Sequence, residues 1–256
     1  MQIAVIKCGG SIINELSDAF FTSIKVLKEE GYGCVIVHGG GPDINEELER
    51  MQIEPEFYLG MRKTTAVTLQ VVEQILAGKT NRALVTRLEK KGLNAIGING
   101  SDAKCLQAEM IDQENLGLVG DITTVNACLI ESLLQQDLIP VLTPLAITDK
   151  GEKLNVNADL AAAAVAKALK ANQCVYITDV SGIYIDGSLV LALTDNQVSD
   201  YIKNGSIYGG MIPKVSSALK AIANGVKSVR IVSGKEAFFD REKWYGTEIG
   251  TKGVQV

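Results

Sequence analysis

Short runs of β-branched and apolar residues alternate with longer stretches of helical spacing along this chain, and no other feature narrows its possible folds so far. Residues 3–6, 35–37, 95–98, 139–142, 174–178 and 229–232 read as strands. Between them, segments beginning near Ser17, Pro42, Thr65, Ala127, Ala158 and Pro213 have helical periodicity; Phe20, Ile24 and Leu27, for example, fall on one face. Strand, helix, strand in succession predicts an α/β fold, a three-layer αβα sandwich around a mainly parallel sheet covered on both sides. Hairpin-like stretches around Asp149-Lys150-Gly151 and Asp186-Gly187-Ser188 interrupt the alternation and predict antiparallel additions to that sheet. No Pro- or Ser-rich linker, repeat or low-complexity tract divides the chain. A soft lobe boundary is expected near Asn172, where an alanine-rich helix gives way to a new strand.

At 256 residues, 46% of them hydrophobic, the chain is long enough for one large domain or for two lobes sharing a sheet. Its 25 Lys+Arg against 30 Asp+Glu, net charge −5, and its 5% aromatic content supply neither a basic footprint nor a stacking surface, which argues against nucleic acid as a partner. The five cysteines, Cys8, Cys34, Cys105, Cys128 and Cys174, include no Cys-x-x-Cys pair and are odd in number. They predict no disulfide framework and no zinc site, but buried thiols of a reduced, cytoplasmic protein. The first residues enter a strand directly, without a cationic leader or a membrane-length apolar run, so no export and no membrane partner are expected. His38 is the sole histidine, which excludes His-paired metal ligands and leaves little material for a His-dependent nucleophile. The chemistry falls to lysine, carboxylate and backbone.

In open parallel sheets ligands sit at the carboxyl ends of strands, so the loops after those runs come first. Lys7-Cys8-Gly9-Gly10-Ser11 ends the first strand with a cation followed by bare glycine backbone. Such a segment either cradles phosphate, through close backbone N–H groups and a mobile ammonium, or is a tight turn beside an ordinary lysine. His38-Gly39-Gly40-Gly41-Pro42 follows the second strand and opens a helix, with Pro42 at an early helical position and free N–H groups aimed at an anion. A dinucleotide fingerprint is the rival reading, but Ile44 stands where its last small residue belongs. Gly78-Lys79-Thr80 imitates the end of a P-loop, yet Glu73 occupies the leading glycine's place and the surroundings are helical; Gly234-Lys235 is followed by Glu236 and fails similarly.

Asn155-Val156-Asn157-Ala158-Asp159 stands at the mouth of the helix carrying four consecutive alanines. It reads as an N-cap, or as a place where Asp159 lies between two cations. Tyr208-Gly209-Gly210-Met211-Ile212-Pro213-Lys214 puts a lysine in a helix's first turn, where the dipole disfavours it unless an anion compensates. Asp179, at the end of the fifth run, is placed either to meet a ribose or base or to cap a turn. Arg62, after a strand end at residues 57–59, offers a planar fork that matches a carboxylate, as many surface arginines do.

Lys7-x-Gly9-Gly10, His38 to Gly41, Gly60-Met61-Arg62, Asn155 to Asp159, Thr178-Asp179-Val180-Ser181-Gly182 and Gly210-Met211-Ile212-Pro213-Lys214 follow one another in an order and spacing that resembles the amino acid kinase superfamily, most closely its N-acetylglutamate kinases. The resemblance covers essentially the whole chain and implies the amino acid kinase fold. It implies ATP-dependent phosphorylation of the side-chain carboxylate of N-acetyl-L-glutamate to N-acetyl-L-glutamyl 5-phosphate, a step of arginine biosynthesis. Lys7 and Lys214 would neutralise charge on the transferring group, Gly10 and Gly41 would donate backbone hydrogen bonds to it, and Asp159 would hold both lysines. Gly40, Gly41, Arg62 and Asn155 would bind the acylated amino acid. Lys7, Gly9, Gly10, Ser11, Asp179, Ile207, Tyr208, Gly209, Gly210, Met211 and Lys214 would take the nucleotide. Residues 1–172 would form the acceptor-binding and dimerisation lobe, and residues 173–256 the nucleotide-binding lobe.

Elementary chemistry agrees with that assignment. Phosphoryl transfer needs positioning and charge stabilisation more than covalent help, and a carboxylate of pKa about 4.3 attacks without a base. Magnesium would be held chiefly by the phosphates of ATP rather than by a protein metal site. Arginine-inhibited members of the family carry an extra N-terminal helix that joins dimers into hexamers, whereas Met1-Gln2 here runs straight into a strand. A homodimer not inhibited by arginine is the expectation. The alternatives are a kinase for another amino-acid carboxylate (carrier-bound aminoadipate or free glutamate), a catalytically silent arginine or nitrogen sensor, and a nicotinamide-dependent oxidoreductase.

Overall fold

The computed structural model describes residues 1–241 and 243–250. Its spine is an eight-stranded sheet ordered Ala192–Thr194, Thr247–Gly250, Ser228–Ser233, Gln173–Thr178, Gln2–Cys8, Tyr32–His38, Ile139–Thr143 and Ala95–Asn99. The last six are mutually parallel, while Thr247–Gly250 runs antiparallel to Ser228–Ser233 and carries Ala192–Thr194 beside it. Every run read as a strand from the sequence is a strand of this sheet, because each is apolar on both faces and only a doubly covered position buries such a run.

Period-two alternation divides the central strand between two cores. Ile3 and Val5 join Val35, Val37, Leu142, Tyr176 and Ile231 on one face, under the alanines of the helix Ala158–Ala168 and under Met211–Ala223. Ala4, Ile6 and Cys8 join Ile36, Val141, Val175, Ile177 and Val232 on the other, under Asp18–Glu29 and Asn81–Lys90. Lys7 continues the first series, so the same alternation that builds the core turns its side chain toward the start of the Ala158–Ala168 helix.

Helix starts follow local capping chemistry. Ser17, Thr65, Asn126 and Asn157 each accept hydrogen bonds from first-turn N–H groups of the helices they open. Gly41–Arg50 and Met211–Ala223 instead begin at Gly40 and Gly210, which have no side chain to do so.

Two expectations need correction, and the helical segment expected after Thr65 forms with an irregularity. Both hairpins form, Leu145–Ile147 with Lys153–Asn155 and Ile183–Ile185 with Ser188–Val190, but neither joins the main sheet. The first belongs to a separate four-stranded sheet with Leu106–Met110 and Gly120–Val125, and the second stands as a two-stranded ribbon. The antiparallel addition to the main sheet is Thr247–Gly250. The cysteines are not all buried: Cys8, Cys34, Cys105 and Cys174 are, and burial pushes each thiol up to about 12, whereas Cys128 is exposed. The helical stretch after Thr65 is not one regular helix either. Ala66–Glu73 widens into a π-helix over Gln74–Thr80 before α-helix resumes at Asn81–Lys90. Among the described residues no helix is long and apolar enough to cross a membrane.

Candidate active site

Two neighbouring cavities open at the carboxyl ends of the central strands. The first, about 160 Å³, is lined by Lys7, Asp159, Tyr176, Thr178, Pro213, Lys214, Ser217 and Ile231, so ammonium groups from two distant segments share one space. Lys7 Nζ lies 2.7 Å from Asp159 Oδ1, a charge contact outside hydrogen-bond geometry that leaves this buried oxygen without an aligned donor. The other carboxylate oxygen accepts from Ser217 Oγ at 2.8 Å, and the backbone carbonyl of Asp159 accepts from Tyr176 Oη at 3.1 Å. Burial raises the Tyr176 phenol well above its usual pKa, so the hydroxyl stays protonated and keeps donating.

Lys214 does not reach Asp159. It pairs with Asp179 at 2.8 Å, and its hydrogen bond is the main reason the Asp179 carboxyl titrates below its ordinary value. The expected bridge from one carboxylate to both lysines is therefore half formed, with Asp159 on Lys7 and Asp179 on Lys214. Ser217, one turn after Lys214 on the same helical face, is the residue of this helix that bonds Asp159.

The second cavity, about 190 Å³, is lined by Gly39, Gly40, Gly41, Ile44, Phe57, Gly60, Met61, Arg62, Leu76, Val119, Pro144 and Asn155 to Ala158. Arg62 is only 8% exposed. Its Nη2 donates to the carbonyl oxygen of Gly41 and to the side-chain oxygen of Asn45, and its guanidinium lies over the Phe57 ring, 4.8 Å from the centroid. Nη1 is buried with no protein acceptor among the described residues. Desolvation lowers the Arg62 pKa from a value far above neutrality, so a residue that lines the cavity keeps a buried, charged donor unpaired. A two-residue turn presents this edge: Phe57–Tyr58 and Met61–Arg62 pair across Leu59 and Gly60, both in left-handed conformation. Asn155 donates through Nδ2 to Thr64 Oγ1 at 3.1 Å.

The glycine loops meet between these spaces. A Cβ on Gly10 would fall 2.7 Å from the nitrogen of Gly41 and 2.8 Å from that of Gly40, so the two loops pack backbone to backbone and no side chain fits between them. A Cβ on Gly41 would meet nothing within 4 Å, because that side of the residue faces open space. Among the described residues, no protein acceptor takes the N–H of Gly10, Gly40 or Gly41.

Other expected site residues stand apart. Gly9, Gly10, Ser11, Asp179 and residues 207–211 line neither cavity. Tyr208 is 75% exposed, Gly209 has φ +56°, Gly210 opens its helix without a side-chain cap, and Ile207 is packed into the core. Asn157 proves to be a helix cap, its Oδ1 accepting from the N–H of Asp159 and Leu160. Sequence reading missed Ser217, Tyr176, Asn45 and Phe57. Ser217 alone left a signal, its spacing of three from Lys214 placing both on one helical face. Lys79, from the rejected P-loop imitation, pairs with Asp43 in the first turn of the Gly41–Arg50 helix.

Comparison with known proteins adds to this geometry. A family model described as "Amino acid kinase family" matches residues 2–233. Acetylglutamate kinase of Geobacillus thermodenitrificans is 47% identical over 245 residues, covering 96% of this chain and 95% of that protein. Acetylglutamate kinase of Halalkalibacterium halodurans is 46% identical over 249 residues, covering 97% and 96%. Among solved structures, smu.665 of Streptococcus mutans superimposes with a TM-score of 0.83 at 33% identity, covering 98% of this chain and 99% of that one.

Proposed function

The chain belongs to the amino acid kinase family, and on that footing we propose that it is an acetylglutamate kinase, moving the terminal phosphoryl group of ATP onto the side-chain carboxylate of N-acetyl-L-glutamate. The observation that carries the reading is the pairing of cavities: one holds two ammonium groups, and the adjoining one holds a buried arginine with an unpartnered donor. An acceptor whose α-carboxylate takes Arg62 Nη1 and whose amide group meets Asn155 would lay its side-chain carboxylate against the glycine loops.

That carboxylate is ionised near neutrality and needs no base; it attacks the terminal phosphorus and ADP departs. Lys7, held by Asp159, and Lys214 balance the charge spread over the transferring oxygens, while the N–H groups of Gly10 and Gly41 accept no reorganisation to meet it. Lys214 leaves Asp179 for the phosphate as the nucleotide arrives. Gly9, Ser11, Asp179 and residues 207–211 form the nucleotide side of the site, with residues 173–256 as its lobe and residues 1–172 as the acceptor lobe. Magnesium would travel on the phosphates of ATP. Both carboxylates nearest the transfer point, Asp159 and Asp179, are engaged by lysines and fit a metal supplied with the nucleotide better than one caged by the protein.

A homodimer and a cytoplasmic setting complete the reading. The main sheet ends on Ala95–Asn99, a half-buried edge with no strand beyond it among the described residues, and a second copy would cover it. A coupled assay of ADP release across N-acetylglutamate, glutamate and aminoadipate tests the acceptor. Turnover with N-acetylglutamate alone supports the assignment, and turnover with glutamate but not its acetylated form overturns it.

A further inference from the structure

We propose that His38 is a positioning residue whose neutral ring, set by Asn81, aims the Gly40 N–H at the acceptor carboxylate. The inference rests on the kinase reading for its kinetic consequences and on the hydrogen-bond geometry for the rest. His38 is 0% exposed and lines neither of the two cavities, so it is no proton carrier for the reaction. Both ring nitrogens are nevertheless committed: Nδ1 lies 2.9 Å from the carbonyl oxygen of Gly39, and Nε2 lies 3.1 Å from Asn81 Nδ2.

Those partners assign the tautomer. A carbonyl oxygen only accepts, so Nδ1 carries the proton; an amide NH₂ only donates, so Nε2 carries the lone pair. The amide itself cannot turn round, because Arg82 donates to its oxygen and its nitrogen also donates to the carbonyl of Val141 at 2.8 Å. An imidazolium would press an N–H against that NH₂ and stand near the Arg82 cation. Burial reinforces the preference by moving the ring's pKa down to about 4.

In a trans peptide the carbonyl of one residue and the N–H of the next point in opposite directions, and no cis bond occurs among the described residues. With the Gly39 carbonyl drawn inward to the ring, the Gly40 N–H points away from it, and Gly40 itself lines the cavity it shares with Gly39, Gly41, Arg62 and Asn155. The preceding peptide is pinned as well, the Gly39 N–H donating to the Cys8 carbonyl at 2.9 Å.

The π-helix Gln74–Thr80 supplies the backing. A Cβ on Gly40 would fall 2.6 Å from Leu76 Cδ2 and 3.3 Å from Thr80 Oγ1, so these side chains pack directly against the loop. Lys79 and Thr80 both reach Asp43 in the first turn of the helix that the loop opens. Extra residues per turn shift the bearing of Asn81 relative to the regular helix before it, and wide turns of this kind are uncommon outside functional sites.

Because the chain has a single histidine, one ¹⁵N-histidine label on the full-length protein reports this ring alone. The expected spectrum at pH 7 shows Nδ1 protonated and Nε2 bare; the opposite tautomer, a mixture or an imidazolium overturns the proposal. Kinetics give the second arm. In His38→Asn the new amide N–H stands where Nδ1–H was, whereas in His38→Gln it stands near Nε2 and the bond to Gly39 is lost. The Gln variant is expected to lose about 10-fold in kcat/KM for the acceptor with KM for ATP unchanged, and the Asn variant to recover most of that loss. Equal losses in both variants, or a loss confined to ATP, overturns the positioning role. A wild-type protein that does not phosphorylate N-acetylglutamate overturns the kinase reading instead, and the labelled ring still decides the tautomer.

Discussion

At the level of single residues, the site divides charge by where it is needed. In the proposed reaction Lys7 and Lys214 act on charge that grows during transfer, so Lys7→Ala or Lys214→Ala should lower kcat by roughly 100-fold or more while changing the acceptor KM less. Steady-state kinetics with a coupled ADP assay check this, and an unchanged kcat in both variants removes their role. Arg62 acts on a charge that the acceptor carries throughout. Arg62→Lys keeps the cation but loses both Nη1 and the flat contact on Phe57, and should raise the acceptor KM about 10-fold with a smaller change in kcat. If KM for ATP rises instead, Arg62 serves the nucleotide. His38 gives a prediction about stability. Its pKa is about 4 in the folded protein against an ordinary 6.5, so the unfolded chain takes up the proton first as pH falls. The ring's contribution is complete above pH about 6.5, shrinks as pH falls toward 4, and amounts to about 2 kcal/mol lost between pH 7 and pH 5. The fall in Tm over that interval should be visibly smaller in His38→Asn, which has nothing to protonate there; parallel curves for the two proteins would show that the ring is not held neutral.

At the level of elements, two glycines that read alike in the sequence carry opposite predictions. Gly10→Ala drives a methyl group into the Gly40 and Gly41 backbone at under 3 Å, so Tm and activity should fall together. Gly41→Ala meets open space and replaces glycine by a better helix former at the start of Gly41–Arg50, so Tm should hold or rise slightly while acceptor turnover drops at least about 10-fold. Thermal unfolding beside kinetics separates them, and a Gly41→Ala enzyme with full activity would show that nothing reacts on that side of the loop. Legibility followed physical locality. The six runs read as strands were plain because a run buried on both faces is apolar throughout, whereas the loops Lys7 to Ser11 and His38 to Pro42 each kept a second reading until their order along the chain was taken together. Thr247–Gly250 was missed because a strand of four residues has no run long enough to show periodicity. The π-helix was hidden because helical periodicity does not distinguish wide turns from regular ones, and the packing of Leu76 and Thr80 on Gly40 shows only in three dimensions. The exchange of partners that leaves Lys214 on Asp179 could not be read at all, since it depends on which carboxylate a flexible ammonium reaches in three dimensions.

At the level of the whole molecule, the question is whether the acceptor half and the nucleotide half are separable bodies. The boundary near Asn172 lies inside the sheet rather than outside it: Gln2–Cys8 pairs with Gln173–Thr178 through the middle of the eight strands, and Asn172 bonds both the N–H and the carbonyl of Ile3. One core cluster runs from Val35 and Leu142 on one side to Val229 and Ile249 on the other. Asp159 adds a polar tie, since its two oxygens and its carbonyl are held by Lys7 from residues 1–172 and by Ser217 and Tyr176 from residues 173–256. Separating the halves would expose the central strands on their hydrogen-bonding edge as well as their apolar faces, a cost that no local interaction offsets. Calorimetric unfolding should therefore show one transition with equal calorimetric and van't Hoff enthalpies. Adding N-acetylglutamate with an unreactive ATP analogue should move that single transition upward by more than either ligand alone, because consecutive residues line the two cavities, Asn155 to Ala158 the one and Asp159 the other. Two resolved transitions, or one ligand shifting only part of the heat absorption, would show that residues 1–172 and 173–256 melt independently and that the shared sheet does not couple the sites.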